Sequence, residues 1–138
     1  MVADSTRALL LGRDGRRTKR WAVAGVALLP VSFGYFGVVT AVDRPALHPL
    51  LWWEGYALLL VGLITVQAQR NGGLAVSWLL GFAAAVGVVL NYGGVGVTAS
   101  APGPLELAGL ALVGGLVSAA VFGTLGFGIG ALVRAVGP

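Results

Sequence analysis

The chain has 138 residues, of which 57% are hydrophobic and 10% charged, with a mean hydropathy of +0.91. Soluble domains carry roughly 25% charged residues, so this composition excludes a water-surrounded catalytic or nucleic-acid-binding module. Cysteine is absent, which removes disulfides, thiolate chemistry and Cys-based metal sites.

From the N-terminus, residues 1–11 hold a short helix with Asp4 or Ser5 as cap, too short to persist alone. Residues 12–20 read as a basic, glycine-broken linker. Arg13, Arg16, Arg17, Lys19 and Arg20 crowd directly before the first apolar run, where a cytoplasmic anchor belongs, and they are candidates for contact with anionic lipid headgroups. This placement argues against a nucleic-acid partner despite the net charge of +4.

Segments 21–42, 71–105 and 107–133 contain no charged residue, and 49–69 contains only Glu54. A bilayer core of about 30 Å takes about 20 residues of helix. The expectation is an all-α integral membrane protein whose four transmembrane helices, about 21–42, 49–69, 74–92 and 105–133, form one bundle. Residues 1–20 are then a basic cytoplasmic N-terminus and 134–138 a C-terminal stub. Pro30 falls inside the first span and predicts a kink near Val26. A signal-peptide reading also exists for that span, because Val39-Thr40-Ala41 offers small residues for cleavage. Its 22-residue apolar run exceeds the 7–15 of a signal core, so an uncleaved span is expected.

Pro49 suits the first turn of span two, and Trp52, Trp53 and Tyr56 form an interfacial aromatic cluster. Asn71-Gly72-Gly73 predicts a tight inner turn, and 93–103 an irregular outer loop. Orientation follows from the cations. Arg7, Arg13, Arg16, Arg17, Lys19, Arg20, Arg70 and Arg134 fall on one side and Arg44 on the other, which predicts both termini in the cytoplasm of a multi-pass cell-membrane protein.

Glu54 is the one acid inside an apolar segment and His48 the only histidine, so both are candidate functional residues. Glu54 sits near the mouth of its span beside tryptophans, which favours an interfacial side chain, and six residues separate it from His48, so the two do not share a helix face. Ser32, Ser77 and Ser118 lack a base at matching depth. Gly94-Val95-Gly96-Val97-Thr98-Ala99 loosely matches a dinucleotide fingerprint but leads into prolines and not a helix.

The last span would be about 43 Å long at 1.5 Å per residue, so tilting, kinking or early emergence is expected. It carries Ala111, Gly115, Ala119 and Gly123 at four-residue spacing, followed by Gly126 and Gly130. Small residues at such spacing let helix backbones approach closely in lipid, making Gly115, Ala119, Gly123, Gly126 and Gly130 candidates for packing within the bundle or between protomers. The composite expectation is a non-enzymatic accessory or assembly component, without a cofactor, whose partners are the lipid bilayer and a second copy or another membrane protein. The alternative is a small transporter or channel subunit with Glu54 as its coupling carboxylate, which would need a water-filled cavity shared with Thr40, Asn91 or Ser77.

Overall fold

The computed structural model describes residues 2–42, 44–51, 53–92 and 102–137, without the side chains of Thr40, His48, Leu50, Leu51 and Tyr92. These residues are almost all helical, with no strand among them: α1 (Val2–Leu11), α2 (Gly15–Val42), a 3₁₀ helix (Pro45–Leu51), α3 (Trp53–Arg70), α4 (Leu74–Tyr92), α5 (Pro104–Ser118), a π turn (Ala119–Gly123) and α6 (Thr124–Val136). Three stretches are long and apolar enough to cross a membrane, within Val2–Val39, Leu74–Asn91 and Pro104–Val136. α3 spans 18 residues but falls outside that set, because Glu54 at one end and Gln67, Gln69 and Arg70 at the other dilute its apolar middle. The expected outer loop 93–103 lies outside the described residues as far as 101.

Helix α4 is the centre of the bundle, with α2 against one side, α5 and the π turn against another, and α3 and α6 packed together beside it. Its glycines permit this. A Cβ on Gly87 would collide with the Leu29 carbonyl of α2, and one on Gly81 would lie 3.0 Å from the Ser118 carbonyl of α5. Six residues separate these glycines, so they open different faces of α4, and each lets a neighbouring backbone come closer than a larger side chain would allow. Leu60, Ile64, Leu80 and Ala84 form the buried cluster, flanked by Trp21, Leu28, Tyr56, Leu63 and Phe122. The outward faces carry Val23, Val26, Leu58, Leu59, Leu112, Val113 and Leu132, all exposed.

Several boundaries differ from the sequence expectation, for identifiable reasons. Helix α2 begins at Gly15 and not at Trp21, because Asp14 accepts hydrogen bonds from the Arg16 and Arg17 amides at 2.9 and 3.4 Å. This N-cap carries the helix through the basic segment read as a linker. As expected of the span 21–42, Pro30 lies inside the helix. Pro49 belongs to the 3₁₀ helix and α3 starts at Trp53, which brings Glu54 into the first helical turn. α1 forms as expected but is not free, since it packs against the start of α4.

The long last helix resolves its length with a π turn. A four-residue step advances an α-helix by about 400°, overshooting a full turn by about 40°. A stripe of small residues at that spacing therefore drifts round the helix, and an i→i+5 turn, which takes in an extra residue, corrects the drift. Before the turn, Gly115 faces Phe82 and Val86 of α4; after it, Gly126 faces Ile64 and Val61, and Gly130 faces Thr65 and Ala68 of α3. The small-residue face thus stays on α4 through the π turn, where Gly123 still meets Ser77 and Trp78, and passes to α3 along α6.

Candidate functional site

The polar side chains gather at one end of the bundle, where α1, the α3–α4 turn and Arg134 meet. Asn71 is the hub and is almost wholly buried, 1% exposed. Its backbone carbonyl accepts the Arg13 amide at 3.0 Å, its Oδ1 accepts the Asp14 amide at 3.0 Å, and its Nδ2 donates to Thr18 Oγ1 at 2.9 Å. The Thr18 hydroxyl in turn donates to the Leu11 carbonyl, with the Asp14 carbonyl 3.0 Å away. One asparagine therefore ties the end of α3 to the join between α1 and α2.

Beside it, Gln67 Nε2 donates to the Gly72 carbonyl, and Ser77 Oγ donates to Gln67 Oε1 at 2.8 Å. The backbone here is left-handed at three glycines, Gly12, Gly72 (φ 75°) and Gly73, and two of them also sit against close neighbours. Gly12 (φ 96°) and Gly73 (φ 93°) are left-handed, a Cβ on Gly12 would lie 2.5 Å from Asn71 Nδ2, and one on Gly73 would lie 3.1 Å from the Leu11 backbone. Either substitution would strain the backbone, and one at Gly12 would also displace the Asn71 side chain, whereas one at Gly73 would press on the end of α1.

Cations meet two carbonyls at the α3 C-terminus, one of which, that of Ala68, also accepts the Gly72 amide at 2.9 Å. Arg134 Nη1 donates to the Ala68 carbonyl at 2.6 Å and Arg17 Nη1 to the Arg70 carbonyl at 3.3 Å. A cation at this end also complements the negative pole of the helix dipole. Two arginines counted in the sequence for topology are thus also helix caps.

The opposite end is built differently. Phe36, Trp53, Tyr56, Leu60, Val88 and Phe122 are among the walls of a cavity of about 670 Å³, which forms where α3, having packed along α6, parts from α5. Its lining is almost wholly apolar. Ser118 reaches it, but its hydroxyl is donated to the Gly81 carbonyl at 2.8 Å. Tyr56 shares a hydrogen bond with Ser32 of α2, and its ring meets Phe36 edge-on with centroids 5.0 Å apart.

The sequence candidates are scattered over this frame. Glu54 is exposed in the first turn of α3, beside the cavity wall at Trp53 but not in it. His48 lies in the 3₁₀ helix, and its side chain is outside the described residues. Arg13, Arg16, Arg17, Lys19 and Arg20 are all exposed on the first turns of α2 and the segment before it. Gly115, Ala119, Gly123, Gly126 and Gly130 are buried along α5, the π turn and α6. Of the three transporter partners weighed for Glu54, Ser77 is bonded to Gln67 at the other end of the bundle, and the Thr40 side chain is not described. Sequence reasoning missed Thr18, Gln67 and Asn71. The available signal was a pair of amide side chains four residues apart, on one face of a helix end, next to two consecutive glycines.

Among the described residues no group of three or more His, Asp and Glu side chains is placed to hold a metal ion. No protein-family model, no curated protein and no solved structure matches the chain.

Proposed function

We propose that this chain is a non-enzymatic, multi-pass protein of the cell membrane that crosses four times with both termini in the cytoplasm and serves as an accessory or assembly component. The observation that carries the reading is where the buried polar groups are engaged. Ser32, Gln67, Asn71, Ser77 and Ser118 are buried, and no buried side-chain nitrogen or oxygen among the described residues lacks a partner. Each of the five bonds to backbone or to another side chain of the protein itself. An interior of that kind fixes helices against one another and offers no polar track to a solute.

Four crossings are supported by connectivity. Asp14 and Asn71 are hydrogen-bonded, so the start of α2 and the end of α3 lie at one end of the bundle. A chain that leaves along α2 must return, and α3, about 27 Å long, nearly matches a 30 Å core. The orientation rests on the eight cations of that end against Arg44. The apolar outer faces fit lipid contact, where exposed Val and Leu carry no penalty.

The transporter reading is the weaker of the two, because Glu54 is exposed and the neighbouring cavity is apolar. In intact cells, an impermeant thiol reagent should label Gly103→Cys and spare Ser5→Cys; the reverse pattern overturns the orientation. Native membranes should yield the 14.0 kDa chain in a larger assembly. A lone monomer there, or a proton-coupled flux in liposomes that Glu54→Gln abolishes, overturns the accessory role.

A further inference from the structure

We propose that Arg17 and Arg20 of α2 and Arg70 of α3 form a specific site for the phosphate of an anionic phospholipid. The three line one recess of about 610 Å³ whose remaining walls are Trp21 and Ala24. Residues 17, 20, 21 and 24 recur at i, i+3, i+4 and i+7, so they share one face of α2. That face meets the end of α3 because the Asn71 hub pins the start of α2 there, with amide bonds of 3.0 Å from Arg13 and Asp14. The site joins residues some 50 positions apart in the chain, and only the fold assembles it.

Charge is unevenly balanced in the recess. Arg17 is held by Asp14 at 3.5 Å and by the Arg70 carbonyl at 3.3 Å, whereas Arg20 and Arg70 have no ion-pair partner among the described residues. Arg20 and Arg70 thus line the recess without a counter-charge, and an anion bound there would supply one. Guanidinium forks suit phosphate oxygens, to which they bond in pairs. The recess is amphipathic as well, with exposed arginines on one side and the first apolar turn of α2 on the other, and Trp21 is of the type that sits at headgroup level. Basic pockets between helices at a membrane surface hold lipid headgroups in this manner, and a soluble phosphate would gain nothing from Trp21 and Ala24.

The remaining basic residues of the N-terminal run are not equivalent. Arg13 and Lys19 border a separate recess that contains Asp4, and Arg16 lines neither. The proposal rests on the membrane reading above but not on orientation or partner, so the labelling experiment can fail without it.

The test uses the purified full chain in detergent micelles doped with phosphatidylglycerol, with phosphatidylcholine, or with inorganic phosphate. Bound lipid is counted by native mass spectrometry. The wild type should retain phosphatidylglycerol over phosphatidylcholine, and Arg20→Gln/Arg70→Gln should lower that retention by roughly tenfold or more. Arg16→Gln/Lys19→Gln, with the same loss of charge, should retain it, and Arg20→Lys/Arg70→Lys should fall between. Helical circular dichroism and melting without lipid check folding, and the lysine pair carries the test should the glutamine pair not fold. Equal losses in both glutamine pairs would mean diffuse attraction and overturn the site. So would equal retention of phosphatidylcholine, or displacement of the lipid by millimolar inorganic phosphate.

Discussion

The two ends of this bundle solve helix packing by opposite means. At the basic end, amide and hydroxyl side chains knit three chain segments through Asn71, and glycines with left-handed backbone bring those segments together. At the other end α3 and α5 part, and an apolar cavity of about 670 Å³ stands where a seam would be. Removing apolar surface from lipid gives no hydrophobic gain, so association in a bilayer depends on close contact and on hydrogen bonds. The basic end has both. The far end has the Ser32–Tyr56 bond and the Tyr56–Phe36 ring contact on its α2–α3 side, but an open apolar cavity between α3 and α5.

The largest effect should come from breaking the polar end. Gly12→Ala forces a left-handed φ of 96° on alanine and drives a methyl group to 2.5 Å from Asn71 Nδ2. With about 1–2 kcal/mol for the backbone and about 1 kcal/mol for a displaced hydrogen bond, a loss of roughly 2–3 kcal/mol is expected in a reversible unfolding assay. Hydrogen exchange should quicken together at the Arg13 and Asp14 amides, which both donate to Asn71. Combining Gly12→Ala with Asn71→Ala should cost less than the separate losses summed, because both act on one network; full additivity would mean that the hub is not a unit.

Next in size is the small-residue face. A Cβ on Gly123 would lie 3.0 Å from the Ser77 carbonyl and one on Gly115 2.6 Å from the Phe82 ring, whereas Gly109 has nothing within 4 Å. Leucine at Gly123 or Gly115 should cost about 1–3 kcal/mol by overpacking, with Gly123 the worse because a backbone carbonyl cannot swing aside. Gly109→Leu should melt like the wild type. A single melting temperature shared by all three variants would remove the packing role of this face.

Smaller still, Ser77→Ala removes one buried bond to Gln67 and should cost about 1 kcal/mol, in the range of interhelical hydrogen bonds in lipid. At the far end, Ala85→Leu extends a side chain into the cavity that Ala85 lines, and the melting temperature should stay level or rise slightly. A drop as large as that of Gly12→Ala would mean that the far end is as closely packed as the basic end and would erase the contrast between them. Glu54→Gln, at an exposed first-turn position, should leave melting and yield unchanged.

How much of this was legible beforehand differs by residue. The helices themselves and the small-residue positions of the last span could be read directly, because a long uncharged run and a four-residue spacing are local patterns. The extension of α2 to Gly15 escaped because Gly12 and Gly15 resemble linker residues until Asp14 is seen to cap the helix. The π turn escaped because nothing local distinguishes Ala119–Gly123 from ordinary helix. It follows from two neighbours, α4 and α3, competing for one drifting face.

Apolar content and its period along the chain therefore determined by themselves that this protein is helical and carries helices fit for a membrane, since each crossing segment must satisfy its own backbone hydrogen bonds and so reports itself locally. Only the tertiary structure decided which polar residues matter. Asn71 is one amide among several in the sequence, and Arg17, Arg20 and Arg70 are three arginines among eight. Hydrogen bonds and charge pairs act over a few ångströms, and which groups come that close is set by how α1, α2 and α3 meet around three left-handed glycines.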